Sequence, residues 1–151
     1  MGILSIFGIS PKQPVALYGL ILLGDGCYER EVVGESHYQD ALERICGGRT
    51  DASANLTCLA RLSPEPTNPH DRNAIRVNID AFTVGYLSRK DAARYCASFR
   101  ASPRPLQPVW CNAIIRGGWD RGSRGSGSFG VWLDFTWPIA ARPRQAPRPS
   151  L

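Results

Sequence analysis

The sequence predicts a mainly β (α+β) fold in which six short strands form an antiparallel barrel and two helices are inserted between them. Apolar and polar residues alternate over six short stretches, which is the period of half-buried strands. Only two stretches show the helical spacing of apolar residues, and each follows a serine that could cap a helix. The helices do not alternate with the strands one by one, as they would in a parallel sheet.

The first strand is predicted at residues 29–35, "EREVVGE", and a helix follows it at once. Ser36 begins this helix, because Ser36 and Gln39 have the spacing of a capping box. Gly47 supplies the left-handed residue that ends the helix. The apolar stripe of the helix consists of Tyr38, Leu42 and Ile45.

The next three strands are predicted at residues 56–64, 74–80 and 82–88. The last two of them form a hairpin, because almost no residues separate them. The stretch "PEPTNPHDRNAIRV" turns the chain before this hairpin, and its asparagines and aspartate are typical of turns closed by side-chain oxygens. Turn chemistry alone explains this composition. The alternative is that the turn presents Asn68, His70 and Asp71 to a polar ligand at the rim of the barrel.

The second helix is predicted to begin after Ser88, where Asp91 can accept from the N-terminal amides, and two prolines beyond residue 100 prevent its continuation. The last two strands lie at residues 108–117 and 129–137. The Gly/Ser-rich segment 118–128 between them is either a mobile connection or a basic flap over a ligand groove. This order and size suit a six-stranded OB-like antiparallel barrel with two inserted helices that plug its ends.

The chain of 151 residues is long enough for one domain with tails. Residues 1–26 are expected to be a loosely ordered lead-in with one extended segment at 15–23, and residues 27–137 to form the barrel domain. Residues 138–151 are expected to be a disordered Pro/Arg-rich basic tail, because they contain too few apolar residues to fold.

The positive charge of the chain is concentrated in its second half. Residues 1–80 carry seven Lys/Arg and ten Asp/Glu, whereas residues 81–151 carry eleven Lys/Arg and three Asp/Glu. A basic half is typical of a protein that binds polyanions, and it is equally compatible with a solubilising surface.

The cysteines indicate a reducing, cytoplasmic setting without a zinc site or a disulfide framework. Their number is odd, and no C-x-x-C spacing occurs. No signal peptide is visible, and the apolar run at 15–24 is about half as long as a membrane-spanning helix. No cofactor motif is present, so we expect neither a cofactor nor a metal. The five cysteines of the chain are Cys27, Cys46, Cys58, Cys96 and Cys111.

Four blocks of the sequence together resemble the HIRAN domain: "VVGESHYQDAL", "LSPEPTNPHDRNAIRV", "VGYLSRKDAARY" and "GSFGVWLDF". The resemblance covers about residues 29–136. This module occurs fused to DNA-remodelling translocases and also as stand-alone bacterial proteins, which this chain resembles. The resemblance implies an OB-like barrel with two helices and a pocket that captures the free 3′-hydroxyl end of single-stranded DNA.

The resemblance also implies roles for individual residues. Asp71 matches the aspartate that accepts the terminal 3′-hydroxyl, and Asn68 matches the asparagine that helps to hold that end. His70 stands where eukaryotic members place a tyrosine beside the terminal nucleotide. Arg89 matches a basic residue that reaches a phosphate, and Phe129 matches an aromatic residue against which a base stacks.

Four further positions follow from the same resemblance. His37 also replaces a tyrosine, and Tyr38 lies next to it. Tyr86 lies shortly before the basic residue of the second helix. Ser36 stands where those members have an arginine, so one phosphate contact is missing.

We therefore predict a nucleic-acid-binding module that recognises the 3′-hydroxyl end of single-stranded DNA in DNA repair or processing, with a helicase or nuclease as a partner protein. We expect no catalysis, because the enzymatic work of the fused relatives belongs to a separate translocase domain. One alternative is a protein-interaction module whose pocket takes a peptide terminus. The other is a hydrolase that uses His37, His70 and Asp71, which could also supply zinc ligands.

Overall fold

The computed structural model describes residues 19–145. The helices of this part are α1, Gln39–Ile45, and α2, Arg89–Arg100, and single 3-10 turns form at Glu35–His37 and Gly122–Arg124. The strands are β1 Leu20–Leu22, β2 Arg30–Val33, β3 Ala54–Pro64, β4 Ile75–Ile79, β5 Phe82–Leu87, β6 Val109–Gly117, β7 Phe129–Asp134 and β8 Ala141–Pro143. Neither helix of this part has the length and apolar character needed to cross a bilayer.

Six of these strands close into an antiparallel barrel, as the sequence predicts. The strands follow one another in the order β3, β4, β5, β2, β7 and β6, and β6 then pairs with β3 to close the ring. The closing pair is long, because it runs from Ala54 opposite Gly117 to Leu62 opposite Val109. The β4–β5 hairpin forms as expected, with Ile79 opposite Phe82.

The interior of the barrel is filled by the apolar residues that alternate along its strands. In β4, Ile75, Val77 and Ile79 are buried while the residues between them are partly exposed. The helix α2 adds Tyr95 and Phe99, whose ring centroids are 5.0 Å apart, to the same core. Burying such aromatic and aliphatic side chains is the main favourable contribution to the stability of a domain of this size.

Strands β1 and β8 lie outside residues 27–137, the predicted barrel domain. β1 pairs in parallel with β6, and β8 pairs with β1, so the sheet continues beyond the barrel. Part of the expected lead-in and part of the expected tail therefore form strands of the sheet. Both segments contribute apolar side chains that are at most 1% exposed, and their burial explains why they fold. These side chains are Leu20, Leu22, Ile139 and Ala141.

The remaining parts of the predicted tails, residues 1–18 and 146–151, lie outside the described residues. The strand β1 coincides with the end of the extended segment that the sequence predicts at 15–23.

The two helices begin in different ways. Ser88 caps α2 as predicted, since its side-chain oxygen accepts from the N–H of Asp91 at 3.1 Å. Ser36 does not cap α1, which starts later, at Gln39, and has no side-chain cap. The side chain of Gln39 instead bonds both backbone groups of Phe129, accepting from its N–H at 2.8 Å and donating to its carbonyl at 3.0 Å. The prediction of a capping box is wrong, because the side chain of Gln39 is bonded to the backbone of Phe129 on β7.

The Gly/Ser-rich loop between β6 and β7 is anchored to the loop that precedes β3. The N–H of Asp120 donates to the carbonyl of Thr50 at 2.7 Å, and the guanidinium of Arg49 donates to the carbonyl of Gly127 at 2.9 Å. The guanidinium of Arg121 lies over the ring of Trp119, 4.6 Å from its centroid. These contacts join the loop to the segment that precedes β3.

Candidate functional site

The turn between β3 and β4 is shaped by two side-chain oxygens, as its composition predicts. Asn68 Oδ1 accepts from the N–H groups of His70 at 2.9 Å and of Asp71 at 3.2 Å. Asp71 Oδ1 in turn accepts from the N–H of Asn73 at 2.9 Å. A backbone that is bonded to its own side chains in this way is well defined without regular secondary structure.

This turn forms one wall of a pocket of about 320 Å³, which we call the turn pocket. The opposite wall comes from the end of β5 and the first residue of α2. Its apolar surface is supplied by Val33, Ala74 and Leu87. The polar side chains that line it are Asn68, His70, Asp71, Tyr86 and Arg89, all of which the sequence analysis proposes as site residues.

Among the described residues, the Asp71 carboxylate keeps one oxygen without a hydrogen-bond donor. Its Oδ1 is held by the N–H of Asn73, whereas Oδ2 has no hydrogen-bond donor within residues 19–145. The residue is partly exposed and lines the turn pocket. The side chain is therefore fixed on one side by the turn, and it still has acceptor capacity for a ligand.

Arg89 connects the turn to the start of α2. Its guanidinium donates to the carbonyl of His70 at 3.1 Å, and the residue is exposed. A guanidinium has five N–H donors, so this bond leaves donors for an anion. Arg89 and Asp71 therefore line the same pocket with opposite charges.

Glu65 does not line the turn pocket, but its carboxylate is hydrogen-bonded to a residue that does. Its two carboxylate oxygens accept from the side-chain amide of Asn68 and from the guanidinium of Arg76, each at 3.2 Å. Burial, followed by a hydrogen bond to Glu65 and the charge of that carboxylate, raises the pKa of Tyr86 to about 12. Glu65 was not among the site residues predicted from the sequence, although an acidic residue between two prolines at a strand end was a usable signal.

Three of the proposed site residues do not line the turn pocket: His37, Tyr38 and Phe129. His37 is exposed at the end of a 3-10 turn, and its ring meets the edge of Tyr38 with 6.4 Å between centroids. Phe129 is 3% exposed and packs in the core, and the guanidinium of Arg49 lies 4.8 Å from its ring centroid. Phe129 therefore has no free ring face for a base, and we leave it out of the proposed site.

The described residues contain no cluster suited to metal binding or to thiol chemistry near the pocket. No group of three His, Cys, Asp or Glu side chains within residues 19–145 is placed to hold a metal ion. His37, His70 and Asp71 do not come together in the turn pocket, since His37 is not among its lining residues. The Cys96 thiol donates to the carbonyl of Asn73 in the turn, and burial raises its pKa, which favours the unreactive neutral form.

Comparison with models of known protein families matches residues 26–100 to the HIRAN domain. The matched segment contains β2 to β5, both helices and every residue that lines the turn pocket. Strands β6 and β7 lie outside it, together with the "GSFGVWLDF" block that the sequence analysis assigns to the resemblance. No curated protein and no solved structure matches the chain.

Proposed function

Residues 26–100 of this chain belong to the HIRAN domain family, a family of nucleic-acid-binding modules, and we propose that the turn pocket captures the 3′-hydroxyl end of a single DNA strand. The observation that carries this proposal is the Asp71 carboxylate, of which one oxygen is bonded to the turn and the other has no protein donor among the described residues. The role is one of binding, and it requires no catalytic group.

The chemistry of Asp71 supports selection of the end of a strand. A carboxylate can only accept hydrogen bonds, so it attracts a terminal hydroxyl. The same negative charge repels a terminal phosphate. Because the N–H of Asn73 holds Oδ1, the second oxygen keeps its direction before any ligand arrives, which lowers the entropy cost of binding. End recognition of this kind does not depend on the base sequence.

The other pocket residues fit complementary roles. Arg89 supplies an exposed guanidinium for the phosphate that precedes the terminal nucleotide. His70 is exposed and can contact the terminal sugar or base. Asn68 accepts two backbone N–H groups and donates to Glu65, so we assign it to positioning the turn and not to direct contact with the strand. Tyr86 closes the pocket on the β5 side.

A free 3′-hydroxyl is the group that polymerases extend and that trimming nucleases act beside. We therefore place the proposed activity in DNA repair or processing, where a helicase or nuclease partner would act on the strand that this protein holds.

The test compares two oligonucleotides that differ only at the 3′ end, one with a hydroxyl and one with a phosphate, at fixed low salt. We expect tighter binding of the hydroxyl form. A charge-assisted hydrogen bond contributes about 1.5–3 kcal/mol. Asp71→Asn should therefore weaken binding of the hydroxyl form by about 10- to 100-fold. It should also reduce the discrimination against the phosphate, while its side-chain oxygen can still accept from Asn73.

Asp51→Asn is the matched control, because Asp51 is an exposed aspartate that does not line the turn pocket. It changes the net charge equally and should leave the preference for the hydroxyl intact. Equal binding of both ends that disappears at moderate salt would reduce the activity to a generic basic surface. Absence of binding to either oligonucleotide would favour the protein-interaction alternative.

A further inference from the structure

A second and larger depression of about 700 Å³ lies on the other side of the same turn. It runs from the turn to the C-terminal end of α2 and the segment that follows the helix. We call it the basic groove and define it by Arg72, Arg100 and Arg104 together with Pro103, Pro105 and Leu106. Leu106 is 39% exposed, so the groove offers apolar surface beside its charges.

Two arginines of the basic groove, Arg72 and Arg100, have no acidic partner among the described residues. No aspartate or glutamate is among the residues that line it in the described part of the chain. Arg72 and Arg100 are exposed and form no ion pair within residues 19–145, in contrast to Arg76, which is paired with Glu65. Uncompensated guanidinium groups in a concave surface attract anions, and phosphates fit them best.

The groove and the turn pocket share a wall. Asp71 lines the pocket, and the next residue, Arg72, lines the groove. The turn runs alongside α2, since His70 is bonded to Arg89 at the start of the helix and the carbonyl of Asn73 accepts from the Cys96 thiol at 3.6 Å further along it. At 1.5 Å per residue, Arg100 lies about 16 Å along the helix from Arg89. This distance corresponds to a few nucleotides of an extended strand.

We propose that the basic groove binds the phosphate backbone of the same DNA strand whose 3′ end the turn pocket holds. This inference rests on the proposed function, because the end in the pocket determines where the strand enters the groove. Arg72 and Arg100 would contact phosphates, and the apolar residues after α2 would contact sugars or bases. The groove adds affinity that is independent of the chemical nature of the end, whereas the pocket adds end selectivity.

The test measures how binding of a 3′-hydroxyl oligothymidylate of about ten nucleotides, a site size typical of OB-type folds, depends on salt. Each phosphate contact on a single strand contributes about 0.7 to the slope of log K against log salt. A double variant with Arg72→Ala and Arg100→Ala should reduce this slope by about 1.4, with a corresponding loss of affinity at low salt. The ratio of affinities for hydroxyl and phosphate ends should not change.

The control is a double variant with Arg44→Ala and Arg124→Ala, which removes the same charge from two exposed arginines outside the pocket and the groove. Its slope should stay close to that of the unmodified protein, and Arg72→Lys with Arg100→Lys should restore the slope. Equal slopes for the two alanine variants would overturn the groove proposal, even if the preference for the hydroxyl persists. If the unmodified protein binds the hydroxyl and phosphate ends equally well, the proposed role of the turn pocket is refuted instead. Equally strong competition by an acidic peptide would also overturn the groove as a nucleic-acid site.

Discussion

Glu65 illustrates, at the scale of single residues, how the turn pocket depends on a side chain that does not line it. Its carboxylate connects Asn68 in the turn, Arg76 on β4 and Tyr86 on β5. A buried or partly buried carboxylate is stable only when its oxygens are satisfied, and three partners satisfy this one. The carboxylate of Glu65 therefore links the turn to both strands of the β4–β5 hairpin.

We predict that Glu65→Gln lowers the pKa of Tyr86 from about 12, because the amide can still accept the phenol hydrogen bond but carries no negative charge. The raised pKa means that the folded state favours the neutral phenol. This stabilisation is present below pH 10 and is lost as the pH rises towards about 12. The variant should therefore lose less stability over this range.

The measurement is a spectrophotometric titration of tyrosinate, with Tyr86→Phe used to assign the step that belongs to Tyr86. An unchanged titration step in Glu65→Gln would show that burial alone raises the pKa.

At the scale of secondary-structure elements, the two helices show that a serine before a helix does not by itself provide a cap. Both helices follow a serine, yet only Ser88 accepts a bond from a helical N–H. Gln39 is the residue that decides the start of α1, since its amide satisfies both backbone groups of Phe129 at the first position of β7. A helix end thereby joins a strand that lies 90 residues away in the chain.

We predict different costs for three alanine substitutions. Ser88→Ala should lower the free energy of unfolding by about 1 kcal/mol through loss of a cap. Gln39→Ala should lower it by about 1–3 kcal/mol, because the backbone of Phe129 loses its partners. Ser36→Ala should have almost no effect, since Ser36 is exposed and provides no cap. Urea unfolding monitored by tryptophan fluorescence measures all three, and a large effect of Ser36→Ala would contradict the observed start of α1.

At the scale of the whole molecule, the barrel closes only through strands outside the segment that matches the family model. β6 pairs with β3 and β7 pairs with β2, so residues 26–100 alone would leave two strand edges and one side of the core open. Unpaired edges and exposed apolar faces favour aggregation over folding. β1 extends the sheet from β6, and β8 pairs with β1.

We predict that a fragment of residues 26–100 does not unfold cooperatively, because it lacks the strands that complete its core. A fragment of residues 19–145 should show a single cooperative transition, because it contains all six strands of the barrel. Circular dichroism during thermal unfolding distinguishes the two. A sharp transition of the shorter fragment would show that β2 to β5 and the helices form an autonomous unit.

The distribution of charge also becomes clear only at this scale. Several arginines of the basic second half lie over tryptophan rings on the surface of the barrel. Arg144 lies 4.2 Å from the ring centroid of Trp110, and Arg94 lies 4.3 Å from that of Trp137. Part of the positive charge of the second half therefore lies against aromatic rings, and we expect the local arrangement at the basic groove to decide where a strand binds.

The sequence by itself determined the local features of this protein. The alternation of apolar residues predicted the six barrel strands, Ser88 predicted the start of α2, and the turn composition predicted the side-chain bonds of Asn68 and Asp71. These features depend on residues close together in the chain, so a local pattern is sufficient to encode them.

Only the tertiary structure decided the features that join distant residues. It ordered residues 19–22 and 139–143 by burying their side chains, gave Gln39 a partner on β7, and buried Phe129, which the resemblance had placed at the site. It also brought Tyr86 and Arg89 to the turn that contains Asp71, and it placed Glu65 behind them. The reason is that burial and long-range hydrogen bonds depend on which surfaces meet when the barrel closes, and no local pattern in the sequence specifies this.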